Sequence, residues 1–302
     1  MIKLDVLLRL GRVSNLPTVI TNAMAGFSLS TMYLLPWDPL RSIDPIHALN
    51  GLLLVMLALS LFYVGGMYLN DAFDADIDAA ERANRPIPTG EISRSVVYAL
   101  GFGMLGAGVL ISFYLNATAG MVGVALALSV VLYDWLHKRV SYGPVLMGLC
   151  RFLSLALAAS VAFGLSNAAL LGATALFAHT VGLTYTAKQE AYDRIGNAWP
   201  LAVMALPVLI AAWMILQRGE ITGWVFLLAY VGWTLRCLWL LKRRAPGDVP
   251  RAVVGLIAGI ALLDAALMGA IGPAVFLGTP FAVVAVVLFG LTLLLQRRIA
   301  GT

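Results

Sequence analysis

Apolar runs near the length that carries a helix across a bilayer, ~20 residues, recur along the whole chain, at 16–35, 48–69, 96–115, 117–134, 143–164, 167–186, 198–216, 221–241, 252–271 and 274–295. Backbone N–H and C=O groups find no water in hydrocarbon, so runs of this kind cross it as helices, each satisfying its own backbone. The reading is therefore an all-α, polytopic transmembrane helical bundle in one domain over 1–302. Composition agrees: 61% of the residues are hydrophobic, the mean hydropathy is +0.91, and only 12% are charged, about half the roughly 25% of a soluble domain. A soluble enzyme, a disordered chain and a conventional nucleic-acid binder are excluded as classes.

The charges orient the bundle. Lys and Arg of short loops accumulate on the cytoplasmic side, and here Lys3, Arg9, Arg12, Arg82, Arg85, Arg94, Lys138, Arg139, Lys188, Arg194, Lys242, Arg243, Arg244, Arg251, Arg297 and Arg298 all follow even-numbered runs or flank the ends of the chain. Only Arg41 and Arg218 fall on the other side, and Arg151 and Arg236 lie inside runs. An even number of spans puts both termini in the cytoplasm of a multi-pass inner-membrane protein. The net charge of +5 then belongs to loops beside anionic lipid, with no nucleic acid implied. Cys150 and Cys237 both sit in apolar runs as buried thiols. The opening MIKLDVLLRLGRVSN reads as an interfacial amphipathic helix, with Asp5, Arg9 and Arg12 among leucines.

Topology requires cations on that side but not carboxylates. Yet the loop after the second run holds Asp71, Asp74, Asp76, Asp78 and Glu81 within eleven residues. On a helix turning 100° per residue, with Asn70 at 0°, Asp74 falls at about 40°, Asp78 at about 80° and Asp71 at about 100°, while Asp76 lies opposite. One stripe thus carries an amide and three carboxylates, whose mutual repulsion calls for a cation. Hard oxygen donors suit Mg²⁺, which keeps several waters and shares its shell with phosphate oxygens. A solvated acidic loop is the plain alternative. An EF-hand is ruled out by Ala79 and Arg85 at positions that need Gly and Glu. Arg82, Arg85 and the stiff turn Pro86-Ile87-Pro88-Thr89-Gly90 follow, suited to holding the outer charge of a diphosphate.

The sixth run ends in a second polar cluster on the same side. With Tyr185 at 0°, Gln189 lies at about 40°, Asp193 at about 80°, Tyr192 at about 340° and Lys188 at about 300° on one face, with Glu190 at its margin. An ordinary loop is as good a reading of this segment alone; the pairing of two polar helix ends at one end of a bundle favours a bracketed, metal-bound diphosphate. Arg151, Asp264 and His179 fall inside apolar runs, where an ionisable group is costly and faces the bundle interior. Arg151 either reaches a diphosphate or pairs with Asp264; His179 and Arg236 read as packing residues.

Asn70-Asp71-x-x-Asp74-x-x-x-Asp78, followed by Arg85-Pro86-Ile87-Pro88-Thr89-Gly90, resembles the first signature of the UbiA superfamily of intramembrane prenyltransferases. Arg12-x-x-Asn15 resembles the family's opening pattern, and Leu132-Tyr133-Asp134 with Lys138-Arg139 its segment after the fourth span. YTAKQE at 185–190 is similar to the EboC subgroup. The resemblance implies a bundle of nine core spans, to which this chain adds a tenth. It further implies Mg²⁺ as cofactor and transfer of a prenyl group from an allylic prenyl diphosphate to a lipophilic acceptor, aromatic in many members, within the membrane lipid. By that resemblance Asn70, Asp71, Asp74 and Asp78 hold one ion and Gln189, Glu190 and Asp193 another. Asp71, Asp74, Asp78 and Asp193 are catalytic, and Arg12, Asn15, Arg85, Tyr133, Lys138, Arg151, Tyr185 and Lys188 bind the diphosphate. Gln189 stands where the family usually has a carboxylate, which keeps a non-catalytic isoprenoid-binding subunit in view. A secondary transporter is the third class, opposed by the gathering of polar groups at one membrane face.

Overall fold

The structure, a computed structural model, describes residues 3–31, 45–190, 202–272 and 277–299, and every regular element among them is helical. In chain order these are α1 (Leu4–Leu10), α2 (Leu16–Leu29), α3 (Pro45–Phe73), α4 (Ala75–Glu81), α5 (Arg94–Leu115), α6 (Ala117–Leu136), α7 (Gly143–Val161), α8 (Asn167–Glu190), α9 (Ala205–Arg218), α10 (Ile221–Arg243), α11 (Asp248–Gly269) and α12 (Thr279–Leu295). Seven, namely α3, α5, α6, α7, α8, α10 and α11, are long and apolar enough to cross a membrane, as a multi-pass integral membrane protein requires. The other three expected spans correspond to shorter helices, α2, α9 and α12, of 14, 14 and 17 residues. The first differs most from expectation. A span over 16–35 is predicted, but α2 stops at Leu29, where the hydroxyls of Ser28, Ser30 and Thr31 donate back to the carbonyls of Met24, Phe27 and Ser28.

α11 is buried along nearly its whole length from Ala252 to Gly269, and α2 is almost as enclosed. These two form the middle of the bundle. α2 runs against α7 at unusual proximity: a Cβ on Gly26 would meet the Leu155 carbonyl and, at 2.8 Å, the Ala158 methyl. Only a residue without a side chain lets the helices meet there. The last helix returns to the start of α2, since Gln296, just beyond α12, donates from Nε2 to Asn15 Oδ1 at 2.9 Å.

α3 spans 29 residues, roughly 43 Å at 1.5 Å per residue, against a hydrocarbon core of about 30 Å. Its last turns carry Asn70 and Asp71. The ladder hardly breaks at Asp74: its N–H donates to the Asn70 carbonyl at 3.0 Å and its carbonyl accepts from Asp78 at 2.8 Å. The predicted stripe is thus delivered by two helices in near-continuous register. α1 lies across this end with Val6 and Leu10 buried against Tyr68, Ala72, Ile92 and Val97. It shows the amphipathic pattern that its sequence predicts, with Leu4 and Asp5 exposed.

Candidate functional site: a carboxylate array held by cations

Asn70, Asp71, Asp74 and Asp78 are all buried, although each is polar and three are acids. Burial of like charges is tolerable only with partners, and three cations supply them. Arg85 Nη1 donates to Asp71 Oδ1 at 2.7 Å and to Asp78 Oδ2 at 3.0 Å. Arg12 Nη2 donates to the same Asp71 oxygen at 3.1 Å and to Asn70 Oδ1 at 3.3 Å. Lys138 Nζ lies 2.9 Å and His137 Nε2 3.3 Å from Asp74 Oδ2. Burial works to raise the Asp74 carboxyl, but the bonds from His137 and Lys138 outweigh it and hold the group below its ordinary value. Asp76, expected on the far face, is exposed and pairs with Arg94 at 3.0 Å.

Arg85 reaches inward because the turn after it is closed. The Thr89 N–H and hydroxyl both bond the Arg85 carbonyl at 3.0 Å, the Glu91 N–H bonds the Pro86 carbonyl at 3.0 Å, and Gly90 takes φ 75°, a conformation that favours glycine. Arg9 ties the same turn to α1 through Glu91 Oε2 at 2.6 Å, and this bond holds the Glu91 carboxyl below its ordinary value.

Two members of the site have no role in the sequence reading, which quotes Asp134 only within a family segment. Asp134, at the end of α6, accepts from Asn70 Nδ2 at 3.2 Å through Oδ1, while its buried Oδ2 has no partner. His137 stacks on Tyr133 with centroids 4.9 Å apart and faces Asp74. The available signal is a carboxylate at the end of an apolar run with His137 and Lys138 three and four residues on, one helix face.

The expected binding residues divide. Arg12, Arg85 and Lys138 gather on the carboxylates, and Tyr133 flanks them. Asn15 is buried one turn from Arg12 and accepts from Gln296. Arg151 bonds Asn22 Oδ1 at 2.6 Å and Thr18 Oγ1 at 3.4 Å, on the interior side of α2. The anticipated pairing with Asp264 is bridged: Asn22 Nδ2 passes on to Asp264 Oδ2 at 2.6 Å. Tyr185 is half-buried in the last turns of α8. Lys188, Gln189 and Glu190 belong to that helix, but their side chains, like the whole of Asp193, lie outside the described residues. His179 proves a packing residue, buried between Tyr230 and the Leu256 carbonyl, and Arg236 lies over the Trp233 ring.

The predicted metal set departs from expectation in one respect. Among the described residues no three of His, Cys, Asp and Glu converge as they stand to hold an ion; instead Arg85 bridges Asp71 and Asp78, Arg12 joins it on Asp71, and Lys138 takes Asp74. The donors themselves still fit Mg²⁺. They are hard carboxylate and amide oxygens, with the orphaned Asp134 Oδ2 beside them.

Residues 23–254 match the UbiA prenyltransferase family. The chain is 29% identical over 149 residues to the digeranylgeranylglyceryl phosphate synthase of Metallosphaera sedula, covering 49% of this chain and 48% of that protein. It is 30% identical to the synthase of the same name from Saccharolobus solfataricus, covering 49% of each. It thus spans about half the length of these curated relatives. In fold it is similar to a UbiA homologue of Archaeoglobus fulgidus bound to GPP and Mg²⁺, with TM-score 0.61 and 16% identity over 87% of this chain and 99% of that one. A solved structure described for a digeranylgeranylglyceryl phosphate synthase in membranes is similar too, with TM-score 0.60 and 20% identity over 90% of this chain and all of that one. Fold, motif positions and the sequence match agree, and the chain belongs to the UbiA prenyltransferase family.

Proposed function

We propose that this protein is a Mg²⁺-dependent prenyltransferase that moves a prenyl group from an allylic prenyl diphosphate to a hydroxyl of a lipophilic acceptor within the membrane. The observation that carries the reading is the buried array of Asn70, Asp71, Asp74 and Asp78 clasped by Arg12, Arg85 and Lys138 at one end of an apolar bundle. An array of both signs is what a dianionic headgroup arriving with a divalent cation would meet. The sequence reading leans to an aromatic acceptor. The shared name of the curated relatives, a glyceryl phosphate synthase, favours a glyceryl phosphate instead.

Asn70, Asp71, Asp74 and Asp78 would hold Mg²⁺, with Gln189, Glu190 and Asp193 from the second polar helix end. When bound, the ion offsets charge on the departing diphosphate. Arg12, Arg85 and Lys138, which lie on these carboxylates, would neutralise the remaining diphosphate charge. By the family resemblance Lys188, Asn15 and Arg151 would add to diphosphate binding. Tyr133 and Tyr185 present aromatic faces to a developing allylic cation, and the apolar helices around them exclude water. The bundle is one domain with this end in the cytoplasm, where the loop cations place it.

The test is incubation of the purified protein with labelled prenyl diphosphates of several lengths, a monoalkylglycerol phosphate as acceptor, with and without Mg²⁺. Diphosphate release that needs Mg²⁺ and disappears in Asp74→Ala is expected. Tight donor binding with no release from any donor and acceptor would reassign the protein as a non-catalytic isoprenoid binder. Gln189→Asp then asks whether the amide weakens an ion site: faster turnover marks a missing ligand, slower turnover a site tuned to Gln.

A further inference from the structure

A second polar cluster lies deeper in the bundle. Asp264 on α11 is wholly buried, and its Oδ2 accepts from Thr21 Oγ1 and Asn22 Nδ2, both at 2.6 Å. Asn22 Oδ1 in turn accepts from Arg151. The other carboxylate oxygen, Asp264 Oδ1, is buried with no partner. A bundle interior tolerates such an atom poorly, and intramembrane ionisable groups of this kind mark sites that receive something.

The cluster is linked to the carboxylate array through α2 and Tyr63. Asn22 stands seven residues along from Asn15, roughly 10 Å at the helical rise, a length that a diphosphate and the carbon it carries can fill. Polar contacts connect the two levels: the Arg151 guanidinium lies 5.9 Å from the Tyr63 ring centroid, and the Tyr63 hydroxyl donates to the Arg12 carbonyl at 3.3 Å. Arg151, Tyr63 and Ile20 keep partial exposure while Thr21, Asn22 and Asp264 are closed off. The accessible side of the cluster is therefore the side of Arg151.

We infer that Thr21, Asn22, Arg151 and Asp264 form the binding site for the acceptor's hydroxyl, which enters on the side of Arg151 and donates its hydrogen to Asp264 Oδ1. The chemistry selects the ligand class. Oδ2 is saturated by two donors, so the site lacks only one more donor, and a neutral hydroxyl supplies it without adding charge to the interior. Arg151 beside it suits a neighbouring anionic or ether oxygen. An alkylglycerol phosphate and a long-chain phenol share this head chemistry. The inference rests on the transferase reading only for the use to which the hydroxyl is put.

The experiment is equilibrium binding to the full chain in nanodiscs, without donor or Mg²⁺, of four probes: a monoalkylglycerol phosphate, a long-chain alkylphenol, and the O-methylated twin of each. At least one hydroxyl probe should bind about tenfold or more tightly than its twin, and Asp264→Asn should erase that difference; the pair that shows it identifies the source. Equal binding within both pairs overturns the inference. In case Asp264→Asn does not fold, a diazirine beside the hydroxyl is photolysed on the wild-type protein. Crosslinks to the α2 or α11 peptides containing Thr21 or Asp264 support the site, and labelling confined to other peptides overturns it. Because no donor is present, failure of prenyl transfer leaves this result standing, and the converse also holds.

Discussion

The Tyr63 hydroxyl donates to the backbone carbonyl of Arg12, a residue that takes the left-handed conformation at φ 42° while its guanidinium reaches Asn70 and Asp71. A non-glycine residue there is held against a cost of roughly 1–2 kcal/mol, and a single hydrogen bond contributes about 0.5–1.5 kcal/mol. The two are of the same order, so Tyr63→Phe should loosen Arg12 without touching the carboxylates. KM for the prenyl diphosphate is expected to rise severalfold with kcat changed less; an unchanged KM would show that Arg12 is positioned without Tyr63.

Arg85 offers a test of charge pairing. It bridges Asp71 and Asp78, and all three side chains are at least 85% shielded from solvent. Removing one partner of a buried pair costs about 3–5 kcal/mol, because the other charge is stranded. Arg85→Leu should lower the thermal midpoint in detergent strongly, and millimolar Mg²⁺ should restore more of it than in the wild type, since the ion can take the vacated place. Equal Mg²⁺ responses in the two proteins would count against these carboxylates as ligands.

The Asp74 carboxyl is held below its ordinary value of 3.8, so its contact with Lys138 contributes stability above that pH, and the contribution is lost as pH falls through the lower, folded value. Lys138→Met removes one of the two bonds that oppose burial. The carboxyl then rises, and the acid limb of donor binding should move to higher pH. Carbon-detected titration of labelled Asp74 reads the same shift directly.

Gly26→Leu tests the approach of α2 to α7. The added side chain would run into Leu155 and Ala158, at a cost typical of overpacking, roughly 1–3 kcal/mol, and would part Asn22 from Arg151 one turn away. Gly103→Ala on α5, where nothing lies within 4 Å, is the control. It should be neutral or stabilising by up to about 1 kcal/mol.

The helices and the first half of the site are legible in the sequence for one reason: both are written in local periodicity. Asn70, Asp71, Asp74 and Asp78 share a face by spacing alone, and apolar length marks the spans. What spacing does not carry is the identity of partners across the bundle. Nothing in the local pattern sets Arg12 against Asp71, 59 residues away, or Asp264 against Thr21, 243 residues away, and so the clasp of Arg85 and Lys138 on the carboxylates is not legible beside their reading as diphosphate-binding residues. His137 is missed, and Asp134 is quoted in a family segment without a role, because an isolated acid at the end of an apolar run resembles any span end until Asn70 is placed beside it.

The junction of α5 and α6 has its own consequence for how the bundle holds together. A single residue, Asn116, separates the two helices; its extended backbone reverses the chain, its Oδ1 caps α6 by accepting from the Ala119 N–H, and its Nδ2 donates to the Ser160 carbonyl near the end of α7. With no slack between them, α5 and α6 are coupled in position, and neither can shift without the other. They form one hairpin, whose tip is fully bonded only when α7 supplies the Ser160 carbonyl.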